Sequence, residues 1–455
     1  MKRESFKSKL GIIAVAAGSA IGLGNIWKFP YITGMNGGAA FIIVYLACIM
    51  IVGIPVMLSE FALGRKNKTN PIDSFKKITS KGKWHYTGFL AVATSFIILS
   101  FYAIIAGWVL SYILRSITGK LKNVPIGEFG SYFTELTSHP FEPTITTIIV
   151  LVITALIVMG GVQKGIEKFS RIVMPILLVL IVVLMIRSIT LPGAKEGIEF
   201  LFKPDFSKLT YKGILEALGH SFYTLSLGMG IILTYGSYID ENENLITLSY
   251  QVAAADTIIA LLAGTIIFPA VFSFGLQPEQ GPGLIFVTLP SVFREMPFGS
   301  FFEVVFFILI GIAAITSTVS LMETSVGLLA DKFNLTRKKS TIIITCGLCL
   351  LAIPSVLSFG PLSNVKLING MGIFDSLDFI TSNIMLPVGG ILICLFVGWV
   401  WGASKASDEI SDNDRYKFRG KKLYIMCIKY VAPLAILIVC LYGLGFIDAI
   451  IKIFN

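Results

Sequence analysis

The first long apolar run of the chain, residues 10–33, is interrupted at its centre by three glycines and an asparagine. These central residues read Gly18-Ser19-Ala20-Ile21-Gly22-Leu23-Gly24-Asn25. A bilayer core has no water for the backbone groups that a broken helix releases, so protein or a ligand must satisfy them. The run therefore predicts a membrane-spanning helix that breaks at its midpoint to bind something. The alternative is that its glycines form a small-residue face for helix packing.

The whole chain has the composition of a membrane protein. Of its 455 residues, 55% are hydrophobic and 14% are charged, too apolar a mixture for a water-soluble fold of this length. The first run lacks a small-residue cleavage site and leads directly into a second one, so we predict a retained helix and not a signal peptide. Apolar runs long enough to cross a bilayer predict eleven spans, numbered 1 to 11, at residues 10–33, 39–64, 87–117, 144–161, 170–190, 213–239, 246–275, 300–331, 340–358, 372–402 and 424–448.

Lysine and arginine are concentrated in alternate loops, which predicts the orientation of the chain. The densest clusters lie between spans 2 and 3 and between spans 10 and 11: Arg65, Lys66, Lys68, Lys76, Lys77, Lys81, Lys83, Arg415, Lys417, Arg419, Lys421 and Lys422. We therefore expect a multi-pass protein of the plasma membrane, which in a bacterium is the inner membrane. Its amino terminus should be cytoplasmic and its carboxyl terminus external. The net charge of +10 is explained by these loops, and no stacking-aromatic motif accompanies it, so we predict no nucleic-acid partner.

A second interruption lies in span 6, where Tyr223-Thr224-Leu225-Ser226-Leu227-Gly228-Met229-Gly230 occupies the middle of the apolar run. Spans 1 and 6 are five spans apart and so cross the membrane in opposite directions. Two glycine-broken spans at corresponding positions of two five-span halves indicate an inverted-repeat transporter with its site at the bilayer midplane. We expect spans 1–5 and the broken span 6 within residues 1–241, spans 7–10 within 242–423, and an extra span 11 with a tail within 424–455.

Several motifs together resemble the neurotransmitter:sodium symporter family, in its bacterial eleven-helix branch. They are Gly18 to Pro30, Asn36-Gly37-Gly38-Ala39 with Phe41, Gly53-Ile54-Pro55 with Glu60, Gly64-Arg65, and Thr224-Leu225-Ser226-Leu227-Gly228. The resemblance runs from about residue 3 to residue 448. It implies an all-α integral membrane protein with the LeuT-type fold, a 5+5 inverted repeat with broken helices 1 and 6 plus an eleventh helix.

The resemblance implies two sodium sites, made of the hard oxygen ligands that Na⁺ accepts. The first comprises Ala20, Asn25, Thr224 and Asp256, and the second comprises Gly18, Ile21, Ala313, Thr316 and Ser317. Residues 313, 316, 317 and 321 also share one face of span 8 by helical spacing alone. The alternative for Thr316 and Ser317 is that their hydroxyls only bond back to their own helix.

Asp256 stands where chloride-dependent relatives have a neutral residue. A fixed carboxylate could balance the sodium ions without an anion, and an ionisable group inside a membrane is costly enough to suggest a function. We therefore expect transport that is independent of chloride. The alternative is that Asp256 is a structural hydrogen-bonding residue.

The resemblance also implies a zwitterionic amino acid as substrate. Its carboxylate would face the start of the half-helix near Leu23 and Gly24 and the Tyr102 hydroxyl, and its ammonium group would face carbonyls and the Ser226 hydroxyl. Met229 stands where LeuT has phenylalanine. The flexible methionine favours substrates with larger hydrophobic or aromatic side chains. The expected binding residues are Ser19, Ala20, Leu23, Gly24, Ile98, Tyr102, Tyr223, Thr224, Ser226, Met229, Ser317 and Leu321.

Gates are expected on both sides of the site. The outer gate would pair Lys28, where LeuT has an arginine, with Asp378, and His220 would be its neighbour unless that residue only packs in the core. The inner gate comprises Arg3, Phe6, Ser237, Tyr238 and Asp331. Glu60 is expected to accept hydrogen bonds from backbone exposed at both breaks. Gly165 and Pro175 would allow the end of span 5 to unwind.

Taken together, these features predict a sodium-coupled symporter that imports a hydrophobic or aromatic L-amino acid by alternating access. The expected partners are the amino acid, two Na⁺ ions, the lipid bilayer and a second copy of the chain as a candidate homodimer, with no other cofactor. No catalytic residues are predicted, because no nucleophile–base pair is evident and the scattered histidines and membrane-embedded cysteines form no metal motif. The remaining alternatives are a symporter for another small zwitterion or amine, a channel, or a membrane enzyme.

Overall fold

The computed structural model describes residues 4–275 and 281–447, and all regular structure in those two segments is helical. The all-α prediction is therefore confirmed. The membrane-spanning helices are Lys9–Ala20 with Gly24–Met35 (span 1), Ala39–Asn67 (2), His85–Ile117 (3), Glu142–Met159 (4), Val162–Ile189 (5), Tyr211–Thr224 with Ile231–Gly236 (6), Leu245–Ser273 (7), Gly299–Phe333 (8), Arg337–Leu357 (9), Ile373–Ile410 (10) and Lys421–Gly443 (11).

Spans 1 and 6 are the two that depart from a continuous helix. Nine helices in the described part are long and apolar enough to cross a membrane alone. The two halves of span 1 meet at a bend of 52°. The halves of span 6 are separated by residues 225–230, and each is too short to cross a bilayer by itself. Both breaks fall where the glycine-containing sequences predict them.

The helices pack so that the two breaks lie inside the bundle. Span 8 packs along span 3, and the first half of span 1 contacts spans 5, 7 and 8. The two halves of span 6 lie against different parts of span 2. Apolar side chains on the outer spans are exposed, for example Leu156 on span 4 and Val179 on span 5, as expected for a surface solvated by lipid.

Within the described residues, four short α-helices lie outside the predicted spans. They are Pro71–Ile78, Phe129–Ser138, Ala194–Phe202 and Leu289–Glu295. They were missed because a search for long apolar runs passes over helices of seven to ten residues that carry a polar face. The division at residues 241 and 423 stays a prediction.

Candidate functional site

The break in span 1 is held open by a side chain. The first half-helix ends at Ala20, Ile21 has an extended backbone with ψ 96°, and the second half begins at Gly24. The Asn25 Oδ1 accepts a hydrogen bond from the Gly22 N–H at 3.0 Å, which replaces a lost helical partner. A β-carbon on Gly22 would lie 2.5 Å from Ser317 Oγ and 3.1 Å from Tyr102 Oη, so any larger residue would displace the Ser317 hydroxyl.

The break in span 6 uses left-handed backbone. After Thr224, the φ angles of Ser226, Gly228 and Gly230 are 56°, 76° and 75°. The Gly228 N–H donates to Glu60 Oε1 at 2.8 Å, and Ser95 Oγ donates to the Met229 carbonyl at 2.5 Å. The expected contact of Glu60 with both breaks is found only at span 6, because Glu60 Oε2 has no hydrogen-bond partner among the described residues.

The two breaks meet directly. The Ser226 Oγ donates to the Ser19 carbonyl at 3.0 Å, and the two hydroxyl oxygens are 3.2 Å apart. Both residues are almost fully buried. The carboxyl end of the first half-helix of span 1 and the irregular backbone of span 6 therefore line one buried region, where their free backbone oxygens are available as ligands inside a membrane.

Three of the four residues predicted for the first sodium site form one hydrogen-bonded cluster. The fully buried Asp256 Oδ1 accepts from Asn25 Nδ2 at 2.7 Å and from Thr224 Oγ1 at 2.9 Å. The fourth, Ala20, and Thr224 both line the cavity that is described below. Sequence reasoning missed Tyr45, whose hydroxyl donates to Asp256 Oδ2 at 3.3 Å, because a tyrosine in an apolar span carries no distinguishing signal.

The residues predicted for the second sodium site lie where span 1 contacts span 8. A β-carbon on Gly18 would be 3.6 Å from the Thr316 Cβ. The hydroxyls of Thr316 and Ser317 donate to the Ala313 carbonyl at 2.9 and 3.3 Å. These are the bonds to their own helix that the alternative prediction describes. A hydroxyl that donates its proton to its own helix still presents lone pairs, so these bonds are compatible with cation binding. The fifth residue, Ile21, is buried at the break.

A cavity of about 40 Å³ lies between the two breaks and spans 3 and 8. Of the twelve predicted binding residues, only Leu23 does not line it, although the Leu23 N–H donates to Tyr102 Oη at 3.1 Å. The wall also includes Gly22 and Ile231, which were not predicted. The complete lining is Ser19, Ala20, Gly22, Gly24, Ile98, Tyr102, Tyr223, Thr224, Ser226, Met229, Ile231, Ser317 and Leu321.

The predicted outer pair is not formed in this structure. The Lys28 Nζ lies 4.8 Å from the centre of the Tyr223 ring, and Lys28 and Asp378, both in the described part, make no ion pair. The reason is that the ammonium group rests on an aromatic face, while Asp378 Oδ1 accepts from Ser382 Oγ at 2.8 Å. His220 lies beside Lys28 and Tyr223 in the wall of a second cavity of about 170 Å³, and its ring packs on Phe29 and Tyr45.

The described residues predicted for the inner gate take part in a wider set of contacts. Phe6 packs edge-on against Tyr235 and Tyr238, and its N–H donates to the Tyr238 carbonyl at 3.0 Å. Ser237 Oγ donates to the Thr234 carbonyl at 2.5 Å. Asp331 lies near Asn70, whose amide nitrogen is 3.5 Å from Asp331 Oδ2. Arg3 lies outside the described residues.

A buried ion pair contacts Tyr238, one of the residues predicted for the inner gate. Arg337 pairs with Glu323, its Nε donates to the Val158 carbonyl at 2.7 Å, and Tyr238 Oη donates to Glu323 Oε1 at 2.6 Å. Glu323 has a fully buried side chain. A carboxylate within an apolar span was the available signal, because a charge at that depth requires a partner.

The described amino-terminal segment, residues 4–8, binds the start of span 5. The Val162 N–H donates to Glu4 Oε2 at 2.6 Å. Glu167 accepts from the Lys7 N–H at 2.8 Å and from Ser8 Oγ at 2.9 Å. Span 5 has a wider π-helical turn over Val162–Glu167, which contains Gly165, and Pro175 lies inside its following α-helix. Its end therefore has irregular backbone at the place where unwinding is predicted.

The sequence and the fold are similar to those of known proteins. The model of the sodium:neurotransmitter symporter family matches residues 3–128 and 133–450. YhdH, an uncharacterized sodium-dependent transporter of Bacillus subtilis, is 40% identical over 447 residues, which cover 98% of this chain and 99% of its own. An uncharacterized sodium-dependent transporter of Haemophilus influenzae is 36% identical, with 97% and 98% covered. A crystal structure of MhsT in complex with L-phenylalanine superposes with a TM-score of 0.88 at 46% identity, covering 97% of this chain and 100% of MhsT.

These similarities confirm the predicted fold and transport class. The protein is a multi-pass, sodium-dependent symporter and not an enzyme, and Na⁺ is its coupling ion with no other cofactor needed. The match spans nearly the whole chain and includes both broken spans. The chain belongs to the sodium:neurotransmitter symporter family and has the LeuT-type fold.

Proposed function

We propose that the protein imports a hydrophobic or aromatic L-amino acid together with Na⁺ by alternating access. The observation that carries the proposal is the cavity between the two breaks, which combines an apolar wall with free backbone groups and hydroxyls. It lies next to the Asp256 cluster through the shared residue Thr224. A substrate here would therefore be within reach of an ion at that cluster.

The polar groups of the cavity suit a zwitterion. The half-helix that begins at Gly24 directs the positive end of its dipole toward the cavity, which favours a carboxylate there. The Tyr102 hydroxyl accepts from the Leu23 N–H and retains its own proton to donate to that carboxylate. Carbonyls of the two breaks and the Ser226 hydroxyl are acceptors for an ammonium group.

The apolar part of the wall favours a hydrophobic side chain. Ile98, Met229, Ile231 and Leu321 belong to that part. Methionine can change its rotamer to admit side chains of different shape. The similar transporter MhsT, whose crystal structure holds L-phenylalanine, supports an aromatic substrate.

An amine without a carboxylate is the second candidate substrate. None of the described residues that line the cavity has a charged side chain. An amine would therefore bring an unbalanced positive charge next to a sodium ion, whereas a zwitterion brings a carboxylate that can bind that ion. The uncharged wall thus favours the amino acid over the amine.

The proposal also includes two sodium sites. We assign Ala20, Asn25, Thr224 and Asp256 to one ion and Gly18, Ile21, Ala313, Thr316 and Ser317 to the other. The charge of Asp256 would make chloride unnecessary. Each ion and the substrate would bind one conformation better than the others, and this difference couples their transport.

The distribution of lysine and arginine supports a plasma-membrane protein whose amino terminus is cytoplasmic. The formation of a homodimer stays a prediction.

The test is counterflow in proteoliposomes that contain the purified chain and an internal pool of unlabelled amino acid. Labelled L-phenylalanine and L-leucine should accumulate in sodium buffer and not in potassium buffer, with labelled dopamine and glutamate as controls for an amine and a charged side chain. Equilibrium binding should also require sodium if the substrate carboxylate is an ion ligand. Equal binding in potassium buffer, or uptake of the amine alone, would contradict the proposal.

A further inference from the structure

A groove outside the transport site lies between the amino-terminal segment and span 5. Its volume is about 350 Å³, and its wall consists of Lys7, Gln163, Glu167, Lys168, Arg171 and Ile172. Lys7 comes from the amino-terminal segment and the other five come from the start of span 5. The groove therefore joins two elements that are otherwise linked by hydrogen bonds of Glu4 and Glu167.

The groove has an excess of positive charge. Lys7, Lys168 and Arg171 are exposed, and none of the three forms an ion pair with another described residue. The one acid in the wall, Glu167, is buried, and its two oxygens accept from the Lys7 N–H and Ser8 Oγ. Three cations therefore face a groove whose only carboxylate is engaged in hydrogen bonds.

The surface next to the groove is apolar and continues along span 5. Arg171 and Ile172 lie three and four residues after Lys168 on the same helix, so all three side chains lie on one side of it. Farther along the same helix, Ile176 and Val179 are 44% and 60% exposed. A cationic groove at one end of an exposed apolar helix face complements a molecule with an anionic head and a long apolar tail.

We propose that this groove binds the phosphate headgroup of an anionic phospholipid, whose acyl chain lies along Ile172, Ile176 and Val179. Clustered lysine and arginine next to a membrane span attract anionic lipid. Arginine and lysine bind phosphate through charge-assisted hydrogen bonds. The exposed apolar face favours a lipid over a free phosphate ion, which would leave that face unused.

The experiment measures lipid binding to the purified full chain by native mass spectrometry, in detergent and without Na⁺ or amino acid. Phosphatidylglycerol should bind more tightly than phosphatidylcholine of the same acyl composition. Lys168→Gln with Arg171→Gln should reduce that preference by about fivefold for each cation removed. The matched control, Lys81→Gln with Lys83→Gln, removes two exposed cations that do not line the groove and should lower the preference much less than the groove variant does.

Two further arms keep the test decisive. Glycerol phosphate at the same concentration should not compete; effective competition would identify a site for free phosphate and overturn the lipid assignment. If the double variant fails to fold, Lys7→Gln alone should lower the preference about fivefold, because this residue is exposed and only its backbone is bound. Equal loss in the Lys81 and Lys83 control would also overturn the proposal. The readout needs no transport, so it is independent of the substrate proposed above.

Discussion

The side-chain amide of Asn25 donates to Asp256 Oδ1 at 2.7 Å, and Thr224 donates to the same oxygen at 2.9 Å. Asn25 lies in the first turn of the second half of span 1, directly after the break, and Thr224 ends the first half of span 6. One carboxylate oxygen on span 7 therefore joins the two interrupted spans. The charge and the hydrogen bonds of this residue can be tested separately.

We expect Asp256→Asn to weaken sodium binding at least tenfold, about 1.4 kcal/mol. The new side chain can still accept from Asn25 and Thr224, but it no longer carries the negative charge that attracts a cation. Sodium titration of labelled amino acid binding measures the effect. Tyr45→Phe, which removes only the contact to Oδ2, should have a smaller effect. Unchanged sodium affinity with lower thermal stability would make Asp256 a structural hydrogen-bonding residue.

Transport by the unmodified protein should not depend on chloride. The expected reason is that the carboxylate at residue 256 would supply the negative charge that an anion would otherwise provide. Uptake into proteoliposomes is compared in sodium chloride and sodium gluconate at equal sodium concentration, and the rates should agree. Loss of uptake in gluconate would exclude Asp256 as the charge that balances sodium.

Gly22→Ala should abolish substrate binding at concentrations that saturate the unmodified protein. The added methyl group would lie 2.5 Å from Ser317 Oγ at the cavity wall, a distance at which atoms overlap. The same overlap should lower the melting temperature, and adding Ser317→Ala should recover part of that loss. Gly130→Ala is the matched control, because a β-carbon there meets nothing within 4 Å. Normal binding in Gly22→Ala would show that the break in span 1 is wider than described.

A pair of serines on span 8 tests the assignment of Ser317. Ser317→Ala should reduce sodium-dependent binding about tenfold or more, since a hydroxyl ligand and part of the cavity wall are lost. Ser325→Ala lies farther along the same helix, where the hydroxyl has no partner among the described residues, and should change binding less than twofold. Similar effects of the two substitutions on binding would remove Ser317 from the site.

Glu323→Gln should lower stability by roughly 3 kcal/mol, because it leaves the largely buried Arg337 without its partner. Adding Arg337→Gln should recover part of the loss. Glu142→Gln breaks the more exposed pair with Arg115 and should cost about 1 kcal/mol or less. Thermal unfolding in detergent measures the stability of all three variants. Equal losses of stability for Glu323→Gln and Glu142→Gln would contradict a special stabilising role of the buried Glu323–Arg337 pair.

The spans and both breaks could be predicted because a bilayer imposes a minimum apolar length and makes unpaired backbone costly. Contacts between distant spans were less accessible. Tyr45 binding to Asp256 depends on how spans 2 and 7 pack, and nothing in the sequence around Tyr45 marks it. The contact of the Lys28 ammonium group with the Tyr223 ring was missed for a similar reason, since a flexible lysine can reach either an aromatic ring or a carboxylate.

The backbone of Ser226 places a limit on protein engineering. Its φ of 56° is a conformation that glycine adopts freely and serine adopts at a cost of order 1 kcal/mol. A search for heat-resistant variants would therefore favour glycine at this position on backbone grounds. Such a variant would lose the hydroxyl that holds Ser19, so gains in melting temperature here should accompany a poorer transporter.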